Sequence, residues 1–222
     1  MIEAVAVDID GTLTDERRVL SPVSVSVIRE LEVPVILVTG NTHCFTRAAA
    51  VLFGVRHFVA ENGGVISSDD RIEIVGDRKM CDEAYEHLKE RFGIKKFDSR
   101  YRLTDLVLIR GFDVDAASRY LESLNIPVEL VDTGFAIHIK NRGITKGTGL
   151  RRISERLGIP AKRIAAIGDS PSDIPMMEIS GFPAAVGNAH PSVKSAARYV
   201  AERPFGEGFA EIIDHMRASG MI

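Results

Sequence analysis

Apolar and polar positions follow one cadence through the first third of the chain: a short unbroken apolar run, then a longer segment with helical spacing. The runs "AVAVDI", "VPVILVTG" and "RHFVAENGG" each predict a buried strand. Between them, "SPVSVSVIRELE" predicts a helix with Ser21 as N-cap and Pro22 at its first position. "NTHCFTRAAAVLFG" predicts a second helix, capped by Asn41 and closed by Gly54. Strands buried on both faces and separated by helices imply a parallel sheet with right-handed crossovers.

The cadence changes near residue 76. After a hairpin pattern, "GGVISSDDRIEIVG", the order becomes a helix over 79–92, a weak strand around 94–99 and a strand at 104–110. A helix at 113–124 and the paired strands of "VELVDTGFAIHIKN" complete an αββαββ pattern, that of a small antiparallel sheet with helices on one face. From Thr145 the βα alternation returns, with a helix over 145–157 ending at Gly158 and strands at "RIAAIGDS", "PAAVG" and "YVAE". Short helices separate these strands, and a last helix starts near 207. The fold class is therefore α/β: residues 1–78 and 144–222 form a doubly wound, parallel-sheet, Rossmann-like core, and 79–143 an inserted α+β cap. The crossings near 76–80 and 141–145 are the expected hinges.

Composition narrows the classes of function. The chain has 222 residues, 45% hydrophobic and 27% charged, with a net charge of −3, which suits a packed core rather than disorder. There is no long basic run for nucleic acid and no apolar run of about 18 residues for a bilayer. The chain leads straight into a strand, leaving no room for a signal peptide, so a cytoplasmic protein is expected. Cys44 and Cys81 read as free, mostly buried thiols. The six His show no zinc spacing, and no G-x-G-x-x-G or P-loop points to an organic cofactor. Monomer and homodimer are both compatible with these totals.

The chemistry starts where the first strand ends. Asp8 and Asp10 stand two apart, so in an extended strand both carboxylates face one place, and Gly11 lets the backbone turn. In open α/β sheets, ligands sit at the carboxyl ends of the strands. A second cluster, Asp169 and Asp173 in "AAIGDSPSDIP", also follows a buried strand. Each aspartate alone is compatible with a helix cap. Two clusters at strand ends of one sheet bring like charges together, and an oxygen-only site without His or Cys favours Mg²⁺ over zinc. Thr39-Gly40-Asn41 ends the second strand and opens a helix, a ready anion site. Lys146 begins the helix returning from the cap, where a cation is disfavoured unless something anionic lies nearby.

Together "DIDGT", "TGN", Lys146 and "GDSPSD" resemble the four ordered motifs of the haloacid dehalogenase superfamily. The cap after the third core strand resembles its Cof-like and sucrose-phosphatase-like branch. Within that branch "VTGN", "ENGG" and the small cap are most similar to the archaeal phosphoglycolate phosphatases. The resemblance covers essentially the whole chain. It implies a Mg²⁺-dependent phosphomonoester hydrolase acting on a small phosphorylated metabolite, foremost 2-phosphoglycolate. A sugar-phosphate phosphatase or a phosphomutase of the same superfamily is the alternative. Asp8 would be the nucleophile and Asp10 the general acid and base, while Thr39, Gly40, Asn41 and Lys146 would hold the phosphoryl group. Asp8, the backbone carbonyl of Asp10, Asp169 and Asp173 would hold Mg²⁺. Asn188 matches a family position near the phosphate.

The chain departs from the family pattern at two places. Ser172 stands where members commonly have Asn, and Asn41 where many Cof-like relatives have Arg. Arg100, Arg102 and His138 are cap candidates for reading a small carboxylate, with a solvated surface role as the alternative for each. The alternation of Phe135 and Ile137 with Ala136 and His138 would turn His138 toward the cleft. A signalling receiver domain has a similar acidic pocket, but it is about half this length and is phosphorylated after its third strand rather than its first.

Overall fold

In the computed structural model, which describes residues 1–133 and 136–222, the first apolar run becomes β1 (Ala4–Val7), with all four residues buried. It lies between two parallel neighbours, β2 (Val35–Val38) and β9 (Ile164–Gly168). β3 (His57–Ala60) continues the parallel sheet on one side, β10 (Phe182–Ala185) and β11 (Tyr199–Val200) on the other. The hairpin of β4 (Val65–Ser68) and β5 (Arg71–Ile74) adds two antiparallel strands at the edge. Its two-residue turn puts Asp69 and Asp70 at φ +48° and +65°, the signs that match the strands' twist. The order is β11-β10-β9-β1-β2-β3-β4-β5, so the connections reverse direction at β1.

The core helices are α1 (Pro22–Glu30), α2 (His43–Phe53), α5 (Lys146–Leu157), α6 (Ile174–Ile179), α7 (Pro191–Ala196) and α8 (Phe205–Ala218). They bury apolar faces, such as Ile28, Phe53, Leu150 and Phe209, against the sheet's Val, Ile and Ala side chains. Gly54 and Gly158 close α2 and α5 in the left-handed conformation, as expected. No helix of the described residues is long and apolar enough to cross a membrane.

The insertion folds into α3 (Arg78–Phe92), β6 (Leu106–Leu108), α4 (Val114–Ser123), β7 (Val128–Asp132) and β8 (Ile137–Asn141). Its antiparallel sheet runs β6-β8-β7. Leu106, Leu108, Ile137 and Ile139 turn one face toward Cys81, Leu88 and Leu121 in a second hydrophobic cluster, separate from the first. The two-residue period sends Val107, His138 and Lys140 to the opposite face. That face looks at the core.

Four local expectations change. The strand expected at 94–99 shrinks to one bridge, Lys96 to Leu108, so the cap reads αβαββ rather than αββαββ. Pairing stops at Phe97 because Ser99 turns back: its hydroxyl donates to the Phe97 carbonyl, and its own carbonyl accepts from Arg102 N–H. Thr42, not Asn41, caps α2, accepting from Phe45 N–H. Ser21 holds the N-cap position of α1 without a side-chain bond. Cys81 is buried as expected, but Cys44 is exposed on the first turn of α2; both are free. Phe135 lies outside the described residues.

Cap and core meet at two polar junctions. Asn141 accepts from Asp77 N–H at 2.6 Å and returns a bond to the Asp77 carbonyl, clasping the two chain crossings together. Glu61, buried after β3 with φ +51°, accepts from the cap amides of Leu103 and Thr104 and from the Thr104 hydroxyl. Thr104 fits because Gly64 leaves room; a Cβ there would meet its Oγ1 at 2.0 Å. Glu61→Ala would strand two buried amides, at about 1–3 kcal/mol each. The expected result is a melting temperature lower by about 4–24 °C in calorimetry. Exchange at the 103 and 104 amides should quicken, and unchanged exchange there would refute the junction.

Candidate active site

The site forms where β1, β2 and β9 end side by side, the reversal point at which doubly wound sheets place ligands. Asp8 directly follows β1, Thr39 follows β2 and Asp169 follows β9. Gly11 makes the crowding possible: it sits at φ +78°, and a Cβ there would meet Asp169 Oδ2 at 2.5 Å. Thr12, next in the same turn, donates its hydroxyl to Asp169 Oδ1 at 3.0 Å.

Lys146 enters from the first turn of α5, where Thr145 and Thr148 form a capping box that fixes the helix start. Its side chain is 3% exposed, and Nζ donates to Asp8 Oδ1 at 2.9 Å and to Asp173 Oδ1 at 2.6 Å. Burial disfavours its charge, but Asp173 and Asp8 more than restore it, so the ammonium persists. The other oxygen of Asp173 accepts from the backbone N–H groups of Asp169 and Ser170 and from the Ser170 hydroxyl. Ser172, in place of the usual Asn, bonds Ser170 and faces the cleft.

Carboxylate oxygens of Asp8, Asp169 and Asp173 lie within 4.8 Å of one another. Three carboxylates thus face one ammonium. Burial raises the Asp8 pKa well above the usual value, Lys146 works against that rise, and Asp173 and Asp169 add to it. Burial and then Asp173 push Asp169 up to about 6. An all-oxygen donor set with surplus negative charge fits a hard divalent cation.

Asp10 reaches the cleft from the turn after β1, accepting from Asn41 Nδ2 at 2.6 Å. Asn41 also donates to the Thr39 hydroxyl, which explains why it does not cap α2. Thr39, Gly40, Asn41, Asp8, Asp10, Lys146 and Asp169 all line one cavity of about 320 Å³, roofed by Arg102, Val107, Thr133 and His138 of the cap. Two expected residues lie elsewhere. Asn188 supports the floor instead, donating to the Gly11 carbonyl and accepting from Phe205 N–H. Arg100 stays on the surface with Asp98. Thr12, Glu61 and Asp105 escaped the sequence reading; "DGT" offered a signal for Thr12, whereas the partners of the other two are remote in sequence.

A buried, lysine-tethered aspartate at the switch point of a doubly wound sheet, beside further carboxylates and under a small antiparallel roof, is an arrangement suited to an enzyme with a carboxylate nucleophile. The chain belongs to the haloacid dehalogenase-like hydrolases, whose family pattern matches residues 5–110 and 113–213. It is 94% identical, over the full length of both chains, to the phosphoglycolate phosphatase of Methanothrix thermoacetophila. It is 42% identical to that of Methanosarcina acetivorans, over 99% of each chain. A crystal structure of a Thermoplasma acidophilum protein superposes with a TM-score of 0.90 at 27% identity, covering 98% of this chain and 99% of that one.

The raised Asp169 pKa sets a pH dependence. Folded protein holds that proton more tightly than the unfolded chain, whose aspartates titrate near about 3.9. Without metal, stability should therefore fall as pH rises from about 4 through about 6. Calorimetry in EDTA should show that fall, Asp169→Asn should reduce it, leaving the part due to Asp8, and Mg²⁺ should raise the melting temperature most above pH 6.

Proposed function

We propose that this chain is a Mg²⁺-dependent phosphomonoesterase that converts 2-phosphoglycolate to glycolate and phosphate through an aspartyl-phosphate on Asp8. The observation that carries the reading is the Lys146 contact to Asp8 beside two further carboxylates, at the mouth of a cavity also lined by Thr39 and Asp10. The substrate comes from the 94% identical relative and its archaeal counterparts, all of which bear the phosphoglycolate phosphatase name.

The geometry supports the following chemistry. Lys146 opposes protonation of Asp8 and aims one of its oxygens, so that the carboxylate, once ionised, can attack phosphorus as the ester P–O bond breaks. Asp10, held by Asn41, gives its proton to the leaving alkoxide. Water then attacks the acyl-phosphate phosphorus, Asp10 takes the water's proton, and Asp8 is released with inorganic phosphate. The Thr39 hydroxyl, Gly40, Asn41 and Lys146 hold the phosphoryl oxygens. Asp8, the Asp10 carbonyl, Asp169 and Asp173 would hold Mg²⁺, which would offset charge on those oxygens. Asp173, with one oxygen already taking three protein donors, suits contact through water.

In this reading residues 79–143 are a lid on the core formed by 1–78 and 144–222, hinged where Asn141 clasps Asp77. In the same reading the enzyme works in the cytoplasm, as monomer or homodimer, on a small anion that membranes confine.

The test is phosphate release from 2-phosphoglycolate, small phosphoesters and hexose phosphates, with Mg²⁺ or EDTA. Asp8→Asn and Lys146→Met should each lower kcat by about 10³-fold or more. Release should need Mg²⁺ and be fastest on 2-phosphoglycolate. Activity surviving in Asp8→Asn would sink the mechanism, and a preference for hexose phosphates would sink the substrate.

A further inference from the structure

The cap carries a charged unit that phosphoryl transfer does not require. Asp105, just before β6, has a side chain 1% exposed and is buried behind the roof of the cleft. Arg102 Nη1 donates to its two oxygens at 2.7 and 2.9 Å, and His138 Nδ1 lies 2.9 Å from Oδ2. Burial opposes its charge, but the His138 bond and the Arg102 charge outweigh that, holding the carboxyl below its usual range. An ionised carboxylate only accepts, so His138 carries a proton on Nδ1 and has Nε2 available to the cleft that it lines.

Arg102 also reaches across to the core, donating from Nη2 to the Gly40 carbonyl at 3.1 Å. Gly40 follows Thr39, so this unit spans the cleft from the roof to the phosphate floor. Two of its members can be cationic and one is anionic, and all are fixed by the buried Asp105. A phosphoryl group at Thr39 and Lys146 leaves Arg102 Nε, the second Nη2 proton and His138 Nε2 for whatever the phosphoryl is esterified to. With Nδ1–H given to Asp105, Nε2 donates only when the ring carries both protons, and in that form a guanidinium and an imidazolium together match a carboxylate better than a neutral hydroxyl or alkyl group.

We propose that Asp105 is a positioning residue that sets Arg102 and His138 as a carboxylate reader for the leaving group, so that the enzyme selects phosphate esters of small hydroxy acids. The inference rests on the phosphatase reading and specifies how that site chooses its substrate. An arginine without such a partner would lose more rotamer freedom on binding, and the His138 ring would have no carboxylate at Nδ1 to fix its orientation. The sequence pointed to Arg102 and His138 but not to Asp105, whose partner His138 lies 33 residues further along the chain.

The test compares kcat/KM on 2-phosphoglycolate with that on ethyl phosphate, which is similar in size and has no carboxylate. The ratio is read for wild type, Asp105→Asn, Arg102→Lys and His138→Gln. Wild type should favour the acid ester, and Asp105→Asn should cut the ratio by about 10- to 100-fold, mostly through KM. If Asp105→Asn does not fold, Arg102→Lys and His138→Gln carry the comparison, each being expected to cut the ratio by about 10-fold. Equal losses on both esters would overturn the proposal, leaving Asp105 a purely structural residue. Asp8-dependent hydrolysis by wild type with no preference for the acid ester would overturn it while sparing the phosphatase reading. No hydrolysis of either ester would overturn both.

Discussion

One buried ammonium connects the beginning of this protein to its second half. Lys146 Nζ sits between Asp8 and Asp173, partners 138 and 27 residues away in sequence. Removing one partner of such a pair strands the other's charge, a cost of about 3–5 kcal/mol. The pairing therefore ties the start of α5 beneath the end of β1 and the turn after β9. The surrounding carboxylates remain in excess, and that imbalance makes the same spot both a stability liability and a cation site.

The cap is organised by the same economy of charge at a second place. Its apolar sheet face is satisfied by α3 and α4, so the polar face is left for the core. Contact with the core is made through hydrogen bonds rather than a continuous hydrophobic seam: Glu61 to the 103–104 amides, Asn141 to Asp77, and Arg102 to Gly40. Polar junctions of this kind locate one unit on another while leaving a cleft between them. The cap thereby brings its own charged residues to the cleft that Asp8, Thr39 and Lys146 line.

Much of this was readable along the chain. Unbroken apolar runs marked β1, β2 and β9, and the acidic or hydroxylic residues just past them marked the site, because strands of a doubly wound sheet deliver their carboxyl ends to one edge. Lys146 drew attention because a cation at a helix start needs an anion nearby. Local rules failed where a distant partner outbid them. Asn41 is a good N-cap by type, yet Asp10, 31 residues earlier, claims its amide. The 94–99 segment has strand-like residues, but the Ser99 turn ends its pairing at Phe97.

By itself, then, the sequence determined the α/β core, the inserted cap, the acidic strand ends and the lysine, all consequences of periodicity and of charges placed beside apolar runs. Only the tertiary structure decided which charges meet. Asp105 behind Arg102 and His138, Glu61 beneath the 103–104 amides, and Asn188 under Gly11 all depend on chain segments brought together by packing. Periodicity reports the face on which a residue lies, whereas a hydrogen bond needs two groups within about 3 Å, and that distance is set by the whole fold.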